Sequence, residues 1–128
     1  MPISYERDDT RRLITLTLTE PVSGEEVLGA IERQSAEGTW DYALLYDARP
    51  VVLAATSEVL QEYRDHVVRI GAGRRRGPVG LAVPPRTESF QVGLTYSRLT
   101  SGLLDLEVLI TPEQVDAWLA RNARKHGP

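Results

Sequence analysis

The sequence contains no cysteine, which excludes disulfides and cysteine-ligated metal sites. Histidine is scarce, and with only His66 and His126 we do not expect a multi-histidine metal site within one chain. A magnesium or calcium site stays open, but it needs several oxygen ligands close together, and no loop is rich in carboxylates. We therefore predict a protein without a bound metal ion or other cofactor.

Long apolar runs are absent too. No stretch approaches the roughly 20 apolar residues that a membrane-spanning helix requires. Residues 1–4 have neither the charged nor the apolar region of a secretory signal. A basic excess is also missing, since the net charge is −3 and the pI is near 5.4, whereas nucleic-acid binders are usually basic over their contact face. We expect a cytoplasmic protein with no transmembrane segment and no nucleic-acid partner.

The residues that are present are typical of an ordinary globular protein. Of the 128 residues, 41% are apolar and 26% are charged, as in folded domains rather than disordered chains. No internal repeat, low-complexity run or linker divides the chain. The sequence therefore predicts a single domain over residues 1–128, large enough to form a core without disulfides.

Hydrophobic periodicity gives the order of the strands and helices. Strands are predicted around 3–5 and over 13–19, as a hairpin with a polar turn at 8–12, and then at 42–47, 78–83 and 104–110. Helices are predicted over 23–38, from 56 or 57 to about 70, from about 87 to 101, and from 111 onward. The order ββαβαβαβα indicates an α/β fold. We expect a mainly parallel five-stranded sheet with right-handed crossovers and an antiparallel first strand.

Local signals refine this prediction at the helices. Ser23 with Glu26, and Thr111 with Gln114, stand at the spacing of a capping box. Helical spacing predicts the inner faces of the last three helices as Val59, Tyr63, Val67 and Ile70, then Val92, Tyr96 and Leu99, and finally Val115, Trp118, Leu119 and Asn122. Trp118 is predicted to anchor the last helix or, if the protein self-associates, to lie at a subunit interface.

Several segments carry a resemblance to a known family, and they extend over nearly the full length of the chain. They are residues 3–6 with 14–18, residues 42–49, residues 76–79 and residues 115–119. On these segments the chain resembles the SpoIIAA-like proteins, a bacterial group related to STAS domains and, at the level of the fold, to the CRAL-TRIO lipid-binding domains. The resemblance implies a non-enzymatic regulatory or binding module, since none of the segments is a catalytic signature.

The STAS relationship also implies a regulatory position. In STAS domains that antagonise anti-sigma factors, a strand ending in Asp leads to a helix-start motif Asp-Ser-Ser-Gly-Leu, whose first Ser is phosphorylated. The matching string here is 55–59, which keeps hydroxyls at Thr56 and Ser57 but has Ala55 and Glu58 in place of Asp and Gly. Thr56 and Ser57 are thus the candidate phosphorylation sites, while the two replacements argue against regulation by a dedicated kinase.

The predicted ligand site is the edge where the parallel strands end and the helices begin, which we call the rim. Open α/β sheets bind ligands outside the carboxyl ends of their strands, where helix N-termini present free N–H groups. The polar residues at the rim are Asp47, Arg49, Thr56, Ser57, Arg86, Thr87 and Ser89. Arg49 and Arg86 follow different strands, so they are predicted to converge on a carboxylate or phosphate. Alternatively, Thr56, Ser57 and Thr87 only cap helices and both arginines are solvated.

Two further charged features have alternative interpretations. Asp47 ends the central apolar run and could act as a general base or phosphate acceptor, but an Asp in this position more often accepts N–H bonds from the following loop. No phosphate loop, nucleophile elbow or Asp cluster accompanies it. The basic run Arg74-Arg75-Arg76 follows a helix, where the dipole favours cations. We interpret it as a solvated turn rather than as a site for acidic lipids or nucleic acid.

Two classes of function stay open. The favoured class is a binding module that takes an unknown protein partner or a small apolar or anionic ligand, lipids included. A lipid-binding version predicts an apolar cavity lined by residues such as Tyr63, Phe90 and Tyr96. A protein-binding version predicts an exposed apolar patch beside the second helix.

The competing class is a small hydrolase or transferase that uses Asp47 with Arg49 and Arg86. It predicts a deep polar pocket and a carboxyl group with a raised pKa, as general acid–base work usually requires. In either class a homodimer is compatible with the sequence, because the hairpin and the last strand leave two open sheet edges.

Overall fold

The structure is a computed structural model and describes residues 3–123, so His126 lies outside the described residues. Its strands are β1 (Ile3–Asp8), β2 (Leu13–Leu18), β3 (Ala43–Asp47), β4 (Val79–Ala82) and β5 (Leu106–Leu109). Its helices are α1 (Gly24–Ala36), α2 (Ser57–Ile70), α3 (Glu88–Leu99) and α4 (Pro112–Asn122). The predicted α/β class and order of elements are confirmed. Within residues 3–123, no helix has both the length and the apolarity needed to cross a membrane.

The strands form one sheet in the order β1-β2-β3-β4-β5. β1 and β2 pair antiparallel, and each of the other neighbouring pairs is parallel. The predicted mainly parallel sheet with an antiparallel first strand is therefore confirmed, and β1 and β5 form its edges. Since β2 to β5 run in the same direction, their carboxyl ends at Leu18, Asp47, Ala82 and Leu109 meet along the rim.

Helices α1, α2 and α3 lie on one face of the sheet and α4 lies on the other. Each of the first three connects neighbouring parallel strands, and right-handed crossovers that advance in one direction put their helices on one face. In β3, Leu44 and Tyr46 face α1–α3, whereas Ala43 and Leu45 face α4. β3 is covered on both faces, which accounts for its unbroken apolar sequence.

Trp118 holds α4 against the sheet, as the sequence predicted. Its side chain is 1% exposed and belongs to a cluster that includes Leu45, Ala82 and Leu109. Gly80 of β4 leaves the necessary room, because a Cβ at this position would lie 2.9 Å from the Trp118 ring. Trp118 therefore packs directly on β4, within the apolar layer between α4 and the sheet.

The helix starts agree with the prediction except in one detail. Ser23 and Glu26 form the predicted capping box at α1. At α4 the hydroxyl of Thr111 caps the helix, but Gln114 Oε1 accepts a hydrogen bond from the backbone N–H of Ile110, at 2.7 Å. Gln114 thus reaches one residue further back than a capping box requires, and satisfies a donor that follows β5.

The prediction that Val59 lies on the inner face of α2 is wrong, because its side chain is 41% exposed. The neighbouring Leu60 takes the inner position and is 6% exposed. The reason is geometric: at about 100° per residue, Leu60 lies roughly 20° around the helix from Val67, while Val59 lies roughly 80° away. The stripe that contacts the core therefore runs through Leu60 and Val67.

We expect Trp118→Ala to lower the free energy of unfolding by about 3–5 kcal/mol, the usual cost of truncating a buried aromatic side chain. The matched control is Leu103→Ala, since Leu103 is 53% exposed and surface truncations usually change stability by less than about 0.5 kcal/mol. Urea unfolding followed by circular dichroism measures both values. Similar small losses for the two variants would show that α4 does not depend on Trp118.

Candidate functional site

Asp47 and Arg49 form an ion pair at the rim. The Arg49 guanidinium donates two parallel hydrogen bonds, from Nε to Oδ1 and from Nη2 to Oδ2, each 2.8 Å long. The backbone N–H of Arg49 also donates to Oδ1, at 3.2 Å. The guanidinium hydrogen bond lowers the pKa of Asp47 below its ordinary value. A general base needs a pKa near the working pH, so this geometry suits a carboxylate that organises the loop.

The side chain of Asp47 lies on the α4 face of the sheet. Successive side chains of β3 point to opposite faces of the sheet, so Asp47 points away from the face of Tyr46 and shares the face of Ala43 and Leu45, which pack with α4. Asp116 of α4 contributes to the electrostatic environment of Arg49. The sequence predicted that Arg49 and Arg86 converge on one anionic group. Instead, Arg49 is paired with Asp47, and within residues 3–123 no group is bonded to both arginines.

The other predicted rim residues lie at the starts of α2 and α3. Thr56 Oγ1 accepts the N–H of Val59 at 3.3 Å, and Thr87 Oγ1 accepts the N–H of Phe90 at 3.2 Å. Both threonines act as helix caps, which is sufficient to explain their presence. Ser57 is the first residue of α2 and is exposed. Phosphorylation of Thr56 or Ser57 stays a prediction.

Arg86 closes the turn between β4 and α3. Its φ of 55° lies in the left-handed region, and the residue is exposed. Within residues 3–123, its side chain forms no hydrogen bond or ion pair. A ligand role for the rim residues Asp47, Arg49, Thr56, Ser57, Arg86 and Thr87 stays a prediction.

A cavity of about 280 Å³ lies between α1, α2, α3 and the sheet. Aliphatic side chains from each element line it, among them Val27 of α1, Leu60 of α2, Val92 of α3, and Leu18 and Leu81 of the sheet. No Asp, Glu, Lys or Arg side chain contributes to the lining. The cavity therefore suits an uncharged apolar group.

The loop between β3 and α2 forms one side of the cavity mouth. Val52 of this loop is 65% exposed at the rim and also lines the cavity. Two distant side chains hold the loop in place. Glu20 Oε1 accepts the N–H of Val52 at 3.0 Å, and Ser89 Oγ accepts the N–H of Leu53 at 2.7 Å. The sequence placed Ser89 at the rim, but its contact with a loop 36 residues away has no local signal.

Three tyrosines contribute polar side chains to the cavity lining, as does Ser23. Tyr46 of β3, Tyr63 of α2 and Tyr96 of α3 all line it. Burial raises the pKa of each, so their hydroxyls are protonated at neutral pH and can donate hydrogen bonds. Tyr63 and Tyr96 are where the lipid-binding hypothesis expected them. Phe90 packs instead beside Val83, in the core near the rim.

The guanidinium of Arg76 lies on the Trp40 ring and lines a second pocket rather than the cavity. Its carbon is 4.0 Å from the centroid of the Trp40 ring, and Nη1 donates to Gln34 Oε1 at 2.7 Å. Gln34 and Trp40 are themselves 1% and 4% exposed. Burial lowers the pKa of Arg76, and the hydroxyls of Tyr46 and Tyr96 are close enough to act on it. Nε is buried without a hydrogen-bond partner.

The interpretation of Arg74-Arg75-Arg76 as a solvated turn is wrong in part. Arg74 and Arg75 are exposed as predicted, although Arg74 also donates to the carbonyl oxygen of Ile70 at 2.7 Å and lies over Trp40. Arg76 is the exception, because it is only partly exposed and its guanidinium lies on the same ring. The missing signal was the position of Trp40, which comes beside this run only when β3 pairs with β4.

Metal-ligand side chains are not gathered in the part of the chain that the structure describes. Between Ile3 and Ala123, no group of three or more His, Cys, Asp or Glu side chains is placed to hold a metal ion. The second pocket is lined by Val68, Arg76 and Leu103, among others, so the rim, the cavity and this pocket are the candidate sites.

Comparisons with protein-family models, with curated proteins and with solved structures found no match. The SpoIIAA-like resemblance therefore stays a prediction.

We expect Asp47→Asn to lower the free energy of unfolding at neutral pH and to have little effect in acid. The pKa of Asp47 lies below its ordinary value of 3.8 in the folded chain. The ion pair therefore stabilises the fold above that value, and its contribution is lost as the pH falls through the folded-state pKa. Urea unfolding of Asp47→Asn and of the wild type, from neutral to acid pH, measures the difference between their free energies of unfolding.

The control for this experiment is Glu62→Gln, on the exposed side of α2. Within residues 3–123 the Glu62 carboxylate has no ion-pair partner, so this variant should follow the wild type at every pH. A difference between Asp47→Asn and wild type that stays constant into acid would contradict a role for the Asp47 charge.

Proposed function

We propose that this chain is a non-enzymatic binding module that holds a small, largely apolar molecule between α1, α2, α3 and the sheet. The observation that carries the proposal is the cavity of about 280 Å³ with its aliphatic walls. The cavity is open to solvent on one side, so a ligand can enter it directly.

The size of the cavity limits the ligand. Its volume is about 280 Å³. This is near the lower end of small-molecule pockets, which usually measure about 300–1,000 Å³. A short acyl chain or a single aromatic ring with a small substituent fits this volume. A complete phospholipid does not.

The position of the cavity mouth supports the same proposal. The mouth lies at the rim, where open α/β sheets most often bind ligands. The loop carrying Val52 and Leu53 is held there by Glu20 and Ser89. A mouth with fixed edges reduces the ordering cost that a ligand meets on binding.

The alternative functions have less support. The protein-binding version asks for an apolar patch beside α2. The exposed valines of that helix, Val59 and Val68, are separated by about 13 Å along its axis, and only Val68 has an exposed apolar neighbour, Leu103, with which it lines the second pocket. Two exposed side chains are a small patch, since isolated exposed apolar residues are normal on a monomer surface. The hydrolase version asks for a carboxyl group with a raised pKa, whereas Arg49 lowers the pKa of Asp47.

We expect 1-octanol to bind the wild-type chain and Val92→Phe to weaken this binding at least about tenfold, because the larger ring occupies the space of the ligand. Isothermal titration calorimetry measures the affinities. The matched control is Val59→Phe, the same change at an exposed position of α2 that does not line the cavity. It should bind as the wild type does.

A second filling variant, Val27→Phe on α1, covers the case in which Val92→Phe fails to fold. Circular dichroism establishes which variants keep the native helix content. Equal binding by a folded filling variant and by the wild type would place the ligand outside the cavity and contradict the proposal.

A further inference from the structure

The second pocket lies at the opposite end of the sheet from the rim. It is lined by the end of α2, by residues of the segment 71–76 before β4, and by the segment 102–105 before β5. The pocket is open to solvent and measures about 580 Å³, within the usual range of about 300–1,000 Å³ for small-molecule sites. It shares no lining residue with the cavity. A ligand of this pocket is therefore independent of the proposed function.

Positive charge that no carboxylate neutralises is gathered at this pocket. Arg74, Arg75 and Arg76 all line it, and within residues 3–123 none of them forms an ion pair. Among the described residues one acid, Asp105, also lines the pocket, and it forms no ion pair either. Three cations and one anion leave a net charge of +2 in a chain whose overall charge is −3. The pocket is thus opposite in sign to the chain as a whole.

Two of the three arginines are held in place by neutral partners. The guanidinium carbon of Arg76 lies 4.0 Å from the centroid of the Trp40 ring, and its Nη1 donates to Gln34 Oε1 at 2.7 Å. Arg74 Nη2 donates to Ser35 Oγ at 2.5 Å, and its guanidinium lies 5.2 Å from the same ring centroid. None of these partners cancels the charge. The positive charge is therefore positioned before an anion arrives, which lowers the ordering cost of binding.

The third arginine is free to contact a ligand directly. Arg75 is exposed, and within residues 3–123 its side chain forms no hydrogen bond or ion pair. A guanidinium presents its N–H donors as a fork, which matches a phosphate or carboxylate group with two parallel hydrogen bonds. Arg75 is thus the residue that should contribute most to recognition of an anion here.

Apolar side chains line the same pocket. Val68 at the end of α2 is 45% exposed, and Leu103 before β5 is 53% exposed. Covering such side chains is favourable by about 25 cal/mol for each Å² of apolar surface removed from water. A ligand that uses both the arginines and these two side chains has an anionic group and an apolar substituent.

We propose that the second pocket binds a small phosphate monoester with an apolar substituent, with the phosphate at Arg74, Arg75 and Arg76 and the substituent on Val68 and Leu103. A phosphate monoester carries nearly two negative charges at neutral pH, which matches the net charge of the pocket. A carboxylate or sulfonate carries one and leaves the second charge unmatched. The net negative charge of the chain disfavours extended polyanions, such as nucleic acids and acidic membranes.

The test uses phenyl phosphate, benzenesulfonate and inorganic phosphate as probes. Benzenesulfonate keeps the ring but carries a single charge, and inorganic phosphate keeps the charge but lacks the ring. Isothermal titration calorimetry at neutral pH measures the three affinities. Phenyl phosphate should bind the wild type at least about fivefold more tightly than either of the other two probes.

Four variants locate the ligand. Arg75→Gln should weaken phenyl phosphate binding by about 5- to 20-fold, through the loss of hydrogen bonds to a charged group. Asp105→Asn should strengthen it by about two- to fivefold, because a negative charge leaves the lining, and damage to the fold would not tighten binding. Leu103→Ala should weaken binding of phenyl phosphate and leave that of inorganic phosphate unchanged. The matched control is Arg98→Gln, at an exposed position of α3 outside the lining, which should bind as the wild type does.

The opposite results would overturn the proposal. Equal affinities for phenyl phosphate and benzenesulfonate would remove the case for a phosphate monoester, and no binding of phenyl phosphate would remove the site. An unchanged affinity in Arg75→Gln, or an equal loss in Arg98→Gln, would place the anion elsewhere. If Val92→Phe abolished phenyl phosphate binding, the ligand would lie in the cavity.

A membrane surface is the alternative that the same variants exclude. Binding of the wild type to phosphatidylcholine vesicles containing phosphatidic acid, lost in Arg75→Gln and without binding of phenyl phosphate, would replace the small ligand by a lipid surface. Circular dichroism establishes which variants keep the native helix content. If Arg75→Gln did not fold, the gain in Asp105→Asn would decide. Octanol binding in the cavity is a separate result, so either proposal can fail without the other.

Discussion

Strand β3 lies at the centre of the sheet and directs apolar side chains to both faces, so both faces have to be covered. One helix, α4, covers the first face through Trp118. Three crossover helices cover the second, and Tyr46 of β3 contacts three separate core clusters there. The cavity lies where these clusters meet. The central strand therefore determines both the two-layer packing and the place of the candidate site.

Gln34, Thr39 and Arg76 form a connected set of polar groups beside Trp40. Gln34, at the end of α1, forms two hydrogen bonds with Thr39. Its Nε2 donates to the carbonyl oxygen of Thr39, and its backbone carbonyl oxygen accepts from the Thr39 hydroxyl. The same amide accepts from Arg76, which precedes β4. Buried polar groups of this kind are tolerated because they are hydrogen-bonded. The set ties the end of α1 to the segment that precedes β4.

The rim combines two features that lie on opposite faces of the sheet. Asp47 and Arg49 close the α4 side with an ion pair, and the cavity mouth lies on the side of α1–α3. Both follow from β3, because successive residues of a strand point to opposite faces. Asp47 and Tyr46 are adjacent in sequence, yet one stabilises a loop while the other lines the proposed ligand site.

The sequence by itself determined the elements, their order and the helix caps, because hydrophobic periodicity and capping hydrogen bonds act over a few residues. Ser23 with Glu26 is such a case. The choice of Leu60 over Val59 was not determined, since both fit a helical stripe until the helix is placed on the sheet. Only the tertiary structure decided three features: the cavity, the contact of Ser89 with the loop after β3, and the position of Arg76 on the Trp40 ring. They depend on the pairing of β3 with β4 and on the packing of three helices, which join residues far apart in the chain.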